Sequence, residues 1–238
     1  MIRIQELSSK KELIRFVKFP FTLYKNNPYW IPPIITDELN SFDPNYNPVF
    51  EHASARFFIA LKGDKIVGRI AAIINSLEVH NQGVKKMRFG WFDFVDDLEV
   101  SRALLDTVVR IGKESQLEFI EGPVGFSNLD KVGVLTEGFD QMGTMITWYN
   151  HPYYESHYRA YGMNKEKGYI ESEFPAVNAD PKYFAGFSEL IQKRYNLKPL
   201  NFKSTKALMP RVDQMFDLFN ESYAVLSSFV PISERQKT

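Results

Sequence analysis

The chain has 238 residues, and its 29 Lys+Arg against 29 Asp+Glu leave no formal net charge, which argues against a generally basic nucleic-acid binder. A hydrophobic fraction of 44% with 24% charged residues is that of an ordered globular protein and excludes disorder as the default state. There is no cysteine, which excludes disulfides, thiolate nucleophiles and Cys-ligated zinc.

The start, MIRIQELSSKKELIRF, mixes both charges and lacks the apolar stretch of a signal peptide. No run approaches the ~20 apolar residues of a membrane span. The expectation is a cytoplasmic soluble protein with neither membrane nor nucleic acid among its partners. Residues 2–6 alternate as a short strand. Ser8 or Ser9 is placed to cap a helix that begins near Lys10 and carries Leu13, Phe16 and Val17 on one face. NPYWIPP (27–33) cannot be regular helix, because its prolines remove donors and fix the backbone. Residues 55–61 and 65–75 read as two strands around the turn Gly63-Asp64, and 86–94 as a third, rich in aromatics. Val100, Leu104, Val108 and Ile111 then form the apolar stripe of a helix over about 99–114. A strand at 117–121 ends at Gly122-Pro123. The stretch 124–140 is irregular, and 145–149 is a further candidate strand. Pro152 opens a helix to Tyr161 with Gly162 as its stop, and 168–174 alternates as a strand.

These elements predict an α/β (α+β) mixed sheet with helices on both faces over residues 1–175. Residues 176–238 read as a linker helix followed by the start of a second unit: a helix near 181–194, a strand at 197–202 and a helix over 210–226. FVKFPFTLYKNNPYWIPPI (16–34) and MFDLFNESYAVLSSFVPIS (215–233) share an aromatic helix end followed by an aromatic, an apolar residue and Pro, a pattern expected of an internal repeat. A copy that stops one helix in cannot bury its own face, so the expectation is a truncated form of a longer protein. The apolar face of that last helix (Val212, Met215, Phe216 and Phe219) is then expected to pack on the first unit or on another chain, a missing C-terminal domain or a second copy in a homodimer.

Three places carry candidate chemistry. At the junction 95–102, a helix N-terminus offers N–H groups to a phosphate. It reads Val95-Asp96-Asp97-Leu98-Glu99-Val100-Ser101-Arg102, without glycine and with three acids. The structural alternative is a capping box with Asp96 as cap and Glu99 three residues on. Asp93 lies between Phe92 and Phe94, where apolar surroundings favour a general base; the alternative is a strand-end residue facing solvent or paired with Arg88 or Lys86. Tyr154, Tyr158 and Tyr161 are four and three apart and share a helix face beside His157. Tyr158 there is a candidate proton donor, or else a packed ring. His52, His80, His151 and His157 show no metal-ligand spacing, and no metal is expected. The loop GPVGFSNLDKVG (122–133) places Ser127, Asn128 and Asp130 between glycines.

The order of elements resembles that of the GNAT superfamily of acyl-CoA-dependent N-acyltransferases, and more narrowly an uncharacterised bacterial group within it. The fragments that carry the resemblance are YKNNPYWIPP (24–33), NPVFEHASARFFIALKGDKIVGRIAAIIN (47–75), FGWFDFVDDLEVSRALLD (89–106), EGPVGFSNLD (121–130), GFD (138–140) and YNHPYYESHYRAYGM (149–163). The resemblance implies a mostly antiparallel sheet splayed between strands 86–94 and 117–121, with acetyl-CoA or another acyl-CoA in the gap. It implies a small-molecule primary amine as acceptor, Tyr158 as acid to the departing thiolate and Asp93 as base. Phe94, Val95, Asp97, Ser101 and Arg102 would bind the co-substrate. The family's pyrophosphate loop, (Arg/Gln)-x-x-Gly-x-(Gly/Ala), is replaced here by the acidic 95–99 segment. That departure implies the alternative of a catalytically silent domain for binding or dimerisation.

Overall fold

The computed structural model describes residues 1–127, 129–144, 147–175, 181–226 and 228–237, with the backbone alone for 181–183. Two compact units divide the chain: Met1–Asn164 with Phe219–Thr238, and Lys165–Leu218.

The first unit opens with strand β1 (Ile2–Leu7) and helix α1 (Lys10–Leu23). Ser9 caps α1 in a full capping box: its hydroxyl takes the Glu12 N–H at 3.3 Å, and Glu12 returns to the Ser9 N–H at 3.0 Å. The proline-rich stretch is irregular and leads into a short helix, α2 (Ile35–Ser41). Then come β2 (Ala53–Lys62), β3 (Lys65–Asn75), β4 (Lys86–Phe94), α3 (Leu98–Glu114), β5 (Phe119–Glu121) and α4 (Tyr154–Tyr161). Gly162 stops α4 at φ 90°, in the left-handed region that glycine enters without steric cost.

The five strands stand in chain order, antiparallel from β1 to β4 and parallel between β4 and β5. The α/β expectation of a mixed, mostly antiparallel sheet holds. Alternation along the strands sorts side chains to two cores. Phe58, Ala60, Ile70, Ala72, Met87 and Phe89 pack under Val100, Leu104 and Val108 of α3. Phe57, Ile59, Leu61, Ala71 and Ile73 pack under Phe16 and Val17 of α1. Both stripes expected from the sequence therefore face the sheet, one on each side. At Gly68 a Cβ would lie 2.7 Å from Leu104 Cδ1, so the missing side chain lets α3 settle onto β3.

Below β4, Arg88 forms a bidentate pair with Glu78 at 2.7 and 2.6 Å, and Lys86 bridges Glu78 and Glu121. All of Arg88, Lys86 and Glu78 are buried. Ser228 joins this cluster through its hydroxyl to Glu121 and its carbonyl to Arg88.

Several boundaries differ from expectation. Residues 168–174 and 197–202 form no strand; their alternating apolar residues, among them Ile170, Leu197 and Leu200, are exposed, so no burial rewards the extended conformation. The second unit contributes helix α5 (Pro181–Tyr195) and a single turn, α6 (Thr205–Leu208); helix α7 runs over Val212–Tyr223, shorter than 210–226 at both ends. The expected strand at 145–149 lies partly outside the described residues, as do most of the linker 175–180, Asn128 and Thr238. Among the described residues no helix is long and apolar enough to cross a membrane, and no group of three or more His, Cys, Asp or Glu stands together to hold a metal.

Candidate functional site

The site begins with a fault in β4. Between the pairs Ala71↔Gly90 and Arg69↔Asp93, β3 advances two residues and β4 three. The extra residue makes a β-bulge, and Trp91 takes it up at φ 46°. The bulge shifts the alternation by one. Met87 and Phe89 face α3, Trp91 faces α1, and Phe92 and Phe94 face α3 again. Asp93 is thereby turned toward the end of α1.

A second fault lies on the other edge of β4. Its parallel pairing with β5 covers Lys86, Met87 and Arg88. One more bond, from the Val124 N–H to the Phe89 carbonyl at 2.8 Å, extends it. Past Phe89 the pairing of the two chains ends, and Val134, Trp148 and Tyr149 come to line the space beside Phe92 and Asp93 together with Tyr154 and Tyr158 of α4. The splay expected between these strands is present. Phe92, Asp93, Val134, Trp148, Tyr154 and Tyr158 line a narrow cleft there, with a cavity of about 10 Å³.

Asp93 and Tyr158 thus meet in one cleft from 65 residues apart in sequence. Their surroundings differ. Asp93 is not an isolated carboxylate among aromatic rings, nor is it paired with Arg88 or Lys86. Its Oδ2 accepts from Arg69 Nε at 2.8 Å and lies 2.7 Å from Arg69 Nη2. Its Oδ1 accepts from the Tyr24 hydroxyl at 2.8 Å and from Tyr154 at 3.2 Å. Arg69 is held in turn by the Phe16 carbonyl and the Phe16 ring. The charge of a buried carboxylate is tolerable because these groups replace its water. The same groups occupy both of its oxygens.

Tyr158 shows the opposite. Its ring stacks on Phe89 at 6.2 Å and meets Phe92 edge-on at 5.7 Å. Its hydroxyl is buried and finds no hydrogen-bond partner among the described residues. An unpaired buried hydroxyl costs about 1–3 kcal/mol. Burial, with the Asp93 charge nearby, pushes the Tyr158 phenol well above its usual value. Tyr24 and Tyr154 are raised for the same first reason. All three therefore stay protonated at neutral pH.

The five expected co-substrate residues are placed as follows. The Phe94 amide donates to Tyr154 Oη at 3.2 Å, and the Tyr153 hydroxyl donates to the Phe94 carbonyl. The Val95 N–H is taken by the Val67 carbonyl at 3.0 Å. Asp97, not Asp96, caps α3 by accepting the Glu99 N–H at 3.0 Å, and it pairs with Lys62. Asp96 instead reaches His157 Nε2 at 3.0 Å, and His157 Nδ1 meets the buried Ser101 hydroxyl at 2.8 Å. Arg102 is exposed and touches the Ala160 carbonyl at 3.5 Å.

Tyr24, Arg69, Tyr153 and the role of His157 were not found by reading the sequence. One signal was available. Arg69 interrupts the apolar run IVGRIAAII, and a charge in a central strand calls for a buried carboxylate partner.

No family model matches the chain. It is 26% identical over 236 residues to Protein YghO of Escherichia coli K12, covering 98% of this chain and 59% of the relative. It is 28% identical over 232 residues to Bacterial ceramide synthase of Caulobacter vibrioides, covering 94% and 58%. The chain thus spans less than two thirds of the length of these curated relatives. Among solved structures it is similar to a predicted acetyltransferase with acetyl-CoA from Clostridium acetobutylicum, at TM-score 0.46 and 13% identity over 73% of this chain and 96% of that one. A tandem GNAT protein from the clavulanic acid biosynthesis pathway gives 0.44 and 13%, over 68% and 43%. An aminoglycoside acetyltransferase from a soil metagenomic sample, in complex with sisomicin, gives 0.43 and 11%, over 73% and 95%.

Proposed function

We propose that this chain carries the acyl-transfer site of an acyl-CoA-dependent N-acyltransferase of the GNAT type, acting on a primary amine. The observation that carries the reading is the Tyr158 hydroxyl, buried and unpaired in the cleft where β4 and β5 part. A fold tolerates such a hydroxyl most readily where a ligand completes it. The name of the Caulobacter relative supports an amine acceptor, because a ceramide is an amide.

In this reading the thioester lies in the cleft with its sulfur toward Tyr158. The amine nitrogen attacks the carbonyl carbon, the C–S bond breaks, and the proton lost from nitrogen ends on sulfur. Most of the acceleration comes from holding the two reactants together. Tyr158 donates a hydrogen bond to sulfur as negative charge develops there. Its raised pKa makes it a donor that keeps its own proton, since a free thiol ionises near ~8.5. Asp93 holds Tyr24 and Tyr154 in place and fixes the end of β4.

A second reading, a silent domain for binding or dimerisation, is favoured by the α3 N-terminus. Asp97 already fills the cap, and Asp96 and Glu99 stand beside it. Each acid would repel a pyrophosphate charge by about 1 kcal/mol at 4 Å in water. The phosphate end of a CoA thus finds no fit there.

The test is calorimetric titration of acetyl-CoA and of a longer acyl-CoA into the chain, with desulfo-CoA and adenosine diphosphate as controls. An amine screen then follows thiol release, with Tyr158→Phe as the comparison. Micromolar binding and thiol release that falls in Tyr158→Phe support transfer. Absence of binding at millimolar ligand sinks it in favour of the silent domain.

A further inference from the structure

We infer that His157 is a positioning residue: by bridging Asp96 and Ser101 it fixes the turn of α4 that aims the Tyr158 hydroxyl into the cleft. The kinetic consequence rests on the acyltransferase reading; the geometry does not.

Tyr158 cannot orient itself, because its hydroxyl makes no bond. Helix α4 cannot do so alone either. It has eight residues and no side-chain cap at its start, and isolated helices of that length are marginal in water. Its rotation is therefore set by what its side chains hold. One turn before Tyr158, Tyr154 is tied to Asp93 and to the Phe94 amide. Immediately before it stands His157, itself buried.

His157 is bonded at both ring nitrogens, to the β4–α3 loop through Asp96 at 3.0 Å and to α3 through Ser101 at 2.8 Å. An ionised carboxylate only accepts, so the Asp96 contact keeps a proton on Nε2. Two anchors on opposite edges of a planar ring fix its tilt as well as its position. Ring contacts with Phe94 at 4.9 Å and Tyr153 at 5.5 Å close the remaining faces. Successive residues of a helix lie about 100° apart. Fixing His157 toward the start of α3 therefore sets Tyr158 toward Phe89 and Phe92. A rotation of α4 would carry the hydroxyl out of the cleft, with no bond of its own to resist.

The experiment compares Ser101→Ala, Asp96→Asn, His157→Ala and His157→Gln with the unaltered chain. Thiol release gives kcat and KM for the acyl-CoA. Ring-labelled tyrosine NMR gives the Tyr158 signal, assigned by its loss in Tyr158→Phe. Ser101→Ala and His157→Ala are expected to lower kcat about tenfold or more while KM stays within about twofold, since a misplacement of about 1 Å costs up to about 100-fold. His157→Gln should recover part of the loss, and the Tyr158 signal should move in the same variants as kcat while the Tyr24 signal stays. Should His157→Ala fail to fold, Ser101→Ala and the exposed Asp96→Asn decide. Unchanged kcat with an unmoved Tyr158 signal overturns the inference. A parallel rise of KM without change in kcat does so too. If the unaltered chain turns over no acyl-CoA, the acyltransferase reading fails, and the NMR signal alone decides the positioning role.

Discussion

Neutralising Asp93 separates an anchor from a base. Asp93→Asn keeps the shape of the side chain and leaves Arg69 charged, with 5% of its side chain exposed. The guanidinium would keep the Phe16 carbonyl at 3.0 Å and the Phe16 ring, but no counter-charge. Removing one member of a buried pair costs about 3–5 kcal/mol, a large part of the about 5–15 kcal/mol that holds a domain together. Arg69→Met combined with Asp93→Asn takes away both charges, and the cost should fall to about 1–2 kcal/mol, that of imperfectly met Tyr24 and Tyr154 hydroxyls. Urea unfolding followed by circular dichroism measures both, with the slope expected to stay constant. If Asp93→Asn loses less than about 1 kcal/mol, or if the double variant costs the sum of the singles, the buried-pair reasoning is wrong. The stabilised double variant then reports on chemistry. Thiol release retained there shows that Asp93 only anchors; thiol release lost despite restored stability shows that its carboxylate takes part.

Other perturbations follow from the same geometry. Tyr158→Phe removes an unpaired buried hydroxyl and should raise stability by about 1 kcal/mol; a clear loss of stability would show that the hydroxyl has a partner. Gly68→Ala places a Cβ 2.7 Å from Leu104 Cδ1 and 3.0 Å from Val100 Cγ1 and should cost about 1–3 kcal/mol by overpacking, read as a lower thermal midpoint. Burial raises Tyr24, Tyr154 and Tyr158 above the ordinary phenol value of 10.0. The folded state keeps protons that the unfolded chain releases near pH 10, so their contribution is complete below that pH and is lost as pH rises through the folded values. Each group contributes a slope of about 1.4 kcal/mol per pH unit there. A urea midpoint that stays flat to about pH 11, or phenolate absorbance from these rings before unfolding, would contradict it.

The sheet and its two helical covers were legible because each depends on neighbours in the chain. Val100, Leu104, Val108 and Ile111 repeat at helical spacing, residues 65–75 are apolar enough for a central strand, and Ser9 stands three before Glu12. Local geometry alone turns such patterns into elements. Local pattern also misled: 168–174 and 197–202 alternate, yet neither forms a strand, and their apolar residues stay exposed. At the α3 start the spacing of Asp96 and Glu99 pointed to Asp96 as cap, but backbone geometry gave the cap to Asp97 and left Asp96 to His157.

The sequence by itself determined the strands and helices that build the five-stranded sheet and its covers, which of their faces are apolar, and that Tyr158 and Asp93 are candidates for chemistry. Tertiary structure alone decided what those residues are. The bulge at Trp91 turns Asp93 from the α3 face to the end of α1, where Arg69 and Tyr24 meet it across 24 and 69 residues of chain. Packing of α4 against Phe89 and Phe92 leaves the Tyr158 hydroxyl buried without a partner among the described residues. The first outcome turns on register, because a shift of one residue sends every side chain beyond it to the opposite face. That shift is set by packing between distant segments, which no local spacing encodes.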